Sequence, residues 1–365
     1  MIRVLHVVTY MGRGGLETMI MNYYRHMDRS KVQFDFLVHR DFRADYDDEI
    51  ESLGGKIYHL PRLVPWSGTY RSALNDFFHG HPEYKIVHVH QDCLSSIILK
   101  AAQRHGVPVR IAHSHNSNQD KNLKYLIKLY YRRFIPRYAT ELYACGKQAG
   151  EWMFMGAPFR IVNNAIDAGR YRYSADTDQR IRSSLGIGKN TLVIGHVGRF
   201  APTKNHTYLL DIFNELQQKR PESVLLLVGD GELRTAAEEK AVHLGIRERV
   251  IFTGVRSDVA DLMQAMDIFV FPSVYEGLPV TLVEAQAAGL PCVVSSSIPP
   301  ECQMTPLVEQ VPLEQSAACW AERILAHEND VRSDTSAQIA AVGFDILENA
   351  RWLQNEYLTK WKACI

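Results

Sequence analysis

Residues Asp267–Ser297 read DIFVFPSVYEGLPVTLVEAQAAGLPCVVSSS, and the order of elements in this stretch decides the fold. Ile268–Phe271 is a short, β-prone apolar run of the length of a buried strand. Pro272 and Ser273 stop it, and Tyr275-Glu276-Gly277 reads as a loop. Pro279 suits the first position of a helix and Gly289 the residue just past its end, with VTLVEAQAA between them. Pro291 forbids continuation of that helix, and Cys292-Val293-Val294 starts a second strand. The result is a βαβ unit whose loop lies at the carboxyl end of a strand, where open α/β sheets hold their ligands.

Two carboxylates stand in this unit: Glu276 on the loop, and Glu284 a little over one turn inside the helix. The helix N-terminus between them offers free amides and a partial positive charge, which suit a diphosphate. Carboxylates suit pairs of sugar hydroxyls, and a nucleotide-sugar carries both groups. An acidic residue near a helix start is common for dipole reasons, and that accounts for Glu276. It accounts poorly for Glu284, because most of the helix is apolar and its sides are expected to be buried.

The string EGLPVTLVEAQAAGLPCVVSS resembles the E-x7-E signature of retaining glycosyltransferases of family four, which have the GT-B fold. The resemblance implies an α/β chain of two Rossmann-like, doubly wound domains facing a cleft. It implies that Glu276 contacts the donor sugar and Glu284 the ribose, with Gly277 and Leu278 among the donor-binding residues. It covers nearly the whole chain and is strongest from Gly195 to Ser297.

At 365 residues, two domains are the natural expectation. Lys+Arg and Asp+Glu both number 41, so no net positive charge points to nucleic acid. The six cysteines are scattered, without C-x-x-C or metal-ligand spacing, which fits a reducing cytoplasm. The N-terminal apolar run is interrupted by His6 and too short for a signal peptide, and no stretch is long enough to span a bilayer.

In chain order, Ile2–Thr9 reads as a strand, and MGRGGLE (Met11–Glu17) as a glycine turn into a helix. The turn is an incomplete dinucleotide fingerprint, because Glu17 stands where the third glycine belongs. In the resembled family a G-G-x-E loop approaches the donor phosphates and the acceptor, a role that falls here on Gly14 and Gly15. Two histidine clusters, His88-Val89-His90 and His113-Ser114-His115, end later strands of this half. The resemblance places His115 beside the reacting sugar, with His113 as the alternate. Lys121–Arg137, KNLKYLIKLYYRRFIPR, combines Lys121, Lys124, Lys128 and Arg132 at helical spacing with aromatic and apolar residues. That pattern fits either an anionic membrane surface or a helix packed on the domain with a solvated basic face.

IVNNAIDAGRY (Ile161–Tyr171) matches the family's interdomain pattern, with Asn163 for Pro and Ala165 for Gly. We place an N-terminal acceptor-side domain at residues 1–167, completed by a terminal helix within 344–365, and a nucleotide-sugar domain at 168–343. The second domain opens with a strand at Leu192–His196 and the loop GRFAPTKNH. Arg199 and Lys204 on that loop match the family's R-x4-K pattern and would neutralise a departing diphosphate. The resemblance sets Gly229 at the nucleotide and Arg256 at its base. It further implies retention of configuration, no cofactor and no required metal. A UDP-sugar is the expected donor, and a glycan or polyprenyl-linked hydroxyl in surface polysaccharide synthesis the expected acceptor. The enzyme is expected in the cytoplasm, peripheral at the inner membrane face. A nucleotide-sugar epimerase of the same fold and a non-catalytic partner subunit are the alternatives.

Overall fold

The computed structural model describes residues 1–116 and 125–364, which form two compact units. One comprises Met1–Ala165 with Ile346–Ile365; the other is Ile166–Asp345.

The first unit is built on a parallel sheet of β1 (Ile2–Val7), β2 (Val32–Val38), β3 (Ile57–His59), β4 (Ile86–Val89), β5 (Val109–Ser114), β6 (Glu141–Ala144) and β7 (Arg160–Ile161). Their spatial order is β3-β2-β1-β4-β5-β6-β7, all parallel, so the order reverses between β1 and β4. Parallel sheets covered by helices on both faces need strands apolar on both sides. β2 meets this on one face, where Phe34 and Phe36 are wholly buried; the other face buries Gln33 and Asp35, the latter paired with Arg3. β1, β4 and β5 depart from it by carrying histidines. His6 pairs in register with His88, and His88 with Ile111. Side chains alternate along strands, so His6, His88, His90 and His113 share one face.

That face is covered by the helix Gly15–His26 and the terminal helix Ile346–Lys362. The terminal helix begins two residues later than Phe344. It buries Ile346, Ala350, Leu353 and Tyr357, a row at helical spacing. Leu347, next to Ile346, is 49% exposed. Gln354 accepts a hydrogen bond from the Asp28 amide at 2.8 Å, so this helix also closes the end of the Gly15–His26 helix.

The second unit repeats the design with β8 (Leu192–Val197), β9 (Ser223–Val228), β10 (Val250–Phe252), β11 (Ile268–Phe271), β12 (Cys292–Ser295) and β13 (Val308–Val311). Their order is β10-β9-β8-β11-β12-β13, again parallel, and the reversal falls between β8 and β11. Its core packs Leu209, Phe213 and Leu216 of the helix His206–Lys219 against Trp320 and Ile324 of the helix Ala317–Leu325. All six cysteines are free thiols, four of them buried. Among the described residues no helix is long and apolar enough to cross a membrane.

Candidate functional site

In doubly wound sheets the ligand crevice opens outside the carboxyl ends of the two strands where the order reverses. In the second unit those strands are β8 and β11, and their loops carry Lys204 and Glu276. Lys204 follows a single turn at Pro202–Lys204, and Asn205 after it takes a left-handed φ of 56° that reverses the chain into the next helix. The Val274 amide donates to the Thr203 carbonyl at 2.8 Å, and the Asn205 side chain donates to the Pro272 carbonyl at 3.2 Å. These bonds tie the two loops together. Lys204 Nζ then lies 2.5 Å from Glu276 Oε1 and 4.7 Å from the centre of the Phe271 ring. Both charged side chains are largely enclosed, at 18% and 14% exposure.

Glu276 leads into the helix Val280–Ala287. Pro279 was expected as the first helical residue; instead it is the N-cap, with an extended backbone at φ −70° and ψ 118°, and Val280 starts the helix. Gly289 takes φ 67° past the end, where an added Cβ would meet the Ser333 carbonyl oxygen at 2.3 Å. Glu284 is buried in this helix, and burial raises its carboxyl above the usual carboxylate range. The counterweight is the Tyr171 hydroxyl, which donates to Glu284 Oε1 at 2.6 Å. Tyr171 was missed as a site residue, although it closes the Ile161–Tyr171 motif.

Two glycines set how closely the surrounding loops approach. Gly229 has φ 137°, and a Cβ there would lie 2.2 Å from the Gly198 carbonyl oxygen. A Cβ on Gly198 would meet Lys204 Cγ at 3.4 Å, so the lysine stem lies over bare backbone. Arg199 does not join the Lys204–Glu276 pair: it is 63% exposed and reaches Glu232 at 3.0 Å. Arg256 is held by Asp258 through two bonds of 2.8 and 2.6 Å. Gly277 and Leu278 are buried at the start of the helix. Ser273, His196 and His206, unforeseen from sequence, each leave at least one buried polar atom without a partner among the described residues, beside these loops. Burial lowers His206 to about 2 and His196 to about 4, so both are neutral.

In the first unit, Gly14 is the N-cap of the helix Gly15–His26, and the Glu17 carboxylate folds back over it. The histidine clusters read from sequence form, with His6 and Tyr357, two hydrogen-bonded chains that stack on one another where the His88 and His90 rings lie 4.3 Å apart. His6 Nδ1 lies 3.1 Å from His90 Nε2, and His90 Nδ1 lies 2.9 Å from His115 Nε2. His88 Nε2 lies 3.1 Å from His113 Nδ1, and His88 Nδ1 lies 2.7 Å from the Tyr357 hydroxyl. Enclosure holds His6 and His115 down to about 3, and lowers His88, His90 and His113 far below the ordinary imidazole range. Of the two candidates beside a substrate, His113 is buried, whereas His115 is partly exposed.

The basic stretch Lys121–Arg137 is divided. Lys121 and Lys124 lie outside the described residues. Lys128 reaches Asp92 at 3.4 Å, and Arg132 donates to the Trp152 carbonyl and stacks on its ring at 4.8 Å. The side chains the helix Tyr125–Arg132 leaves most open are apolar: Leu126 is 75% and Tyr130 50% exposed.

Two doubly wound sheets in one chain, the second with a lysine and two glutamates at its point of reversal, define the GT-B class of fold. Residues 13–170 match the family described as Glycosyltransferase Family 4, and residues 177–330 the family described as Glycosyl transferases group 1. EpsF of Bacillus subtilis (strain 168), named as a glycosyltransferase, is 38% identical over 372 residues, covering 97% of this chain and 96% of EpsF. The chain therefore belongs to this glycosyltransferase family. The Escherichia coli UDP-Gal:alpha-D-GlcNAc-diphosphoundecaprenol alpha-1,3-galactosyltransferase is 28% identical over 225 residues, 59% of this chain and 58% of that protein. The crystal structure of Anabaena Alr3699/HepE in complex with UDP and glucose shares the fold, with a TM-score of 0.80 at 19% identity over 98% of this chain and 100% of that one.

The histidine array makes the first unit acid-labile. Each imidazole has a lower pKa folded than its ordinary 6.5, so below pH 6.5 the unfolded chain takes up protons first. Stability is full above pH 6.5 and falls by about 1.4 kcal/mol per pH unit for each such histidine. With several titrating together, the urea midpoint of the first unit should fall steeply between pH 6.5 and roughly pH 5, against a total stability of about 5–15 kcal/mol. A midpoint constant across that interval would contradict the assignment.

Proposed function

We propose that this chain is a retaining glycosyltransferase that moves a sugar from a UDP-sugar to a hydroxyl of a glycan or lipid-linked acceptor in surface polysaccharide synthesis. The observation that carries the reading is the enclosed Lys204–Glu276 pair at the reversal between β8 and β11. The UDP named in the HepE crystal structure, and the UDP-Gal and diphosphoundecaprenol in the name of the Escherichia coli relative, support the choice of donor and acceptor class.

The roles follow from charge and position. Lys204 meets the diphosphate as negative charge develops on it, in a half-enclosed setting where such a contact is stronger than in water. Arg199, exposed and held by the surface carboxylate of Glu232, swings in to the same group. Glu276 accepts from the donor sugar's hydroxyls, and Glu284 from the ribose. The Tyr171 bond keeps the Glu284 carboxylate oriented and eases its ionisation. Gly229, Gly277 and Leu278 line the approach, Arg256 contacts the base, and Gly14 and Gly15 offer backbone to the donor phosphates and the acceptor. His115 has one nitrogen engaged with His90 and presents Nδ1 to the reacting sugar. The acceptor attacks the face that the diphosphate leaves, and the diphosphate takes the acceptor's proton. Two cations and a helix terminus balance the leaving group's charge, so we propose that this step needs no metal.

We further propose that the acceptor reaches the enzyme at an anionic membrane surface, where the helix Tyr125–Arg132 inserts Leu126 and Tyr130. Leu126→Glu combined with Tyr130→Glu should abolish co-sedimentation with vesicles containing anionic lipid; undiminished sedimentation would remove this part of the reading.

For the chemistry, Lys204→Ala should lower kcat by about 100–1,000-fold, the usual cost of losing one transition-state donor, with little change in KM. A variant that raises KM alone would mean that Lys204 holds substrate and transition state alike. Proton NMR of the product should show the donor's anomeric configuration, and inversion would contradict the same-face mechanism.

A further inference from the structure

Five histidines crowd one face of the first sheet, where hydrophobic residues would ordinarily stand. Buried polar atoms almost always find partners, and an exception calls for an explanation, such as an ion. His113 Nε2 is such an exception: the residue is 2% exposed and this nitrogen has no partner among the described residues. His90, His113 and His115 each offer a ring nitrogen within 4.8 Å of the other two.

We propose that His90, His113 and His115 bind a divalent transition-metal ion of the zinc type, through His90 Nδ1, His113 Nε2 and His115 Nε2. The ligand chemistry fits, because a set of neutral imidazoles selects zinc, nickel, cobalt or copper over the oxygen-seeking magnesium and calcium. The His90–His115 distance fits with a small movement. Two nitrogens about 2.05 Å from a tetrahedral zinc stand about 3.3 Å apart. His90 Nδ1 and His115 Nε2 are now 2.9 Å apart, so the rings need to separate by a few tenths of an ångström.

The outer layer of such a site is largely built. A metal-bound imidazole usually donates its other N–H to a fixed acceptor, which sets its tautomer. Two of these three ligands have one in place. His90 Nε2 faces His6 Nδ1 at 3.1 Å. His113 Nδ1 faces His88 Nε2 at 3.1 Å, and His88 Nδ1 in turn faces the Tyr357 hydroxyl at 2.7 Å. The inner nitrogens therefore take up the ion while the outer ones are already held, and the protons only change position among the imidazoles. His115, the partly exposed member, gives the ion its way in. A water completes the tetrahedron, as in three-ligand zinc sites. The ion has no part in diphosphate departure; it locks His115 with its proton on Nδ1.

The test uses the untagged full-length chain, loaded with zinc sulfate and dialysed against metal-free buffer. About one zinc per chain should remain, and cobalt substitution should give the visible absorption of a tetrahedral site. His115→Gln, the ligand substitution least able to disturb the core, should weaken zinc binding by more than 100-fold, beyond the roughly 10–100-fold that follows from loss of an outer partner. Tyr357→Phe, acting through His88, should weaken it by about tenfold. Failure of the unmodified chain to retain zinc or to colour with cobalt would overturn the proposal. So would zinc retained equally by His115→Gln.

Discussion

The site depends on one contact, the enclosed ion pair between Lys204 and Glu276. The two residues are 72 positions apart, and only the reversal of strand order between β8 and β11 brings their loops side by side. Neither loop would hold its charge in place alone. The Val274–Thr203 bond, the Asn205 bond to Pro272 and the bare backbone at Gly198 fix the lysine so that its ammonium meets the carboxylate over the Phe271 ring. The pair also gives each charge a partner, since an enclosed charge without one is costly.

Much of this was legible in the sequence because it is local. The strand, glycine turn and helix of Asp267–Ser297 follow from apolar run lengths and from the placement of proline and glycine. The suspicion about Glu284 followed from a carboxylate in an otherwise apolar helix, and that residue is buried. What was not legible depends on tertiary placement. Nothing in the local sequence states that Tyr171 donates to a carboxylate 113 positions away. Arg199 and Lys204 read alike on one loop, yet one is enclosed and the other turns outward to Glu232. Pro279 differs by a single position, since capping geometry is set by the chain before it as much as by the ring.

The histidines illustrate the same limit from the other half. Sequence gives two clusters ending two strands, and each alone has an ordinary structural explanation. Register brings His6 and His88 side by side on adjacent strands, and the terminal helix delivers Tyr357 from 269 positions away. The product is two hydrogen-bonded chains of neutral imidazoles, which leave His6 Nε2 and His113 Nε2 without a partner among the described residues.

The central claim is that the second unit takes a nucleotide diphosphate through the β8–β11 reversal, with Glu284 on the ribose. Calorimetric titration of UDP into the chain in metal-free buffer, beside the Glu284→Gln variant, tests it most directly. The account predicts binding to the unmodified chain and a weakening of about 1.5–3 kcal/mol in the variant, the scale of a hydrogen bond to a charged group. Equal affinity in the two proteins, or affinity for UDP only after a metal is added, would contradict it.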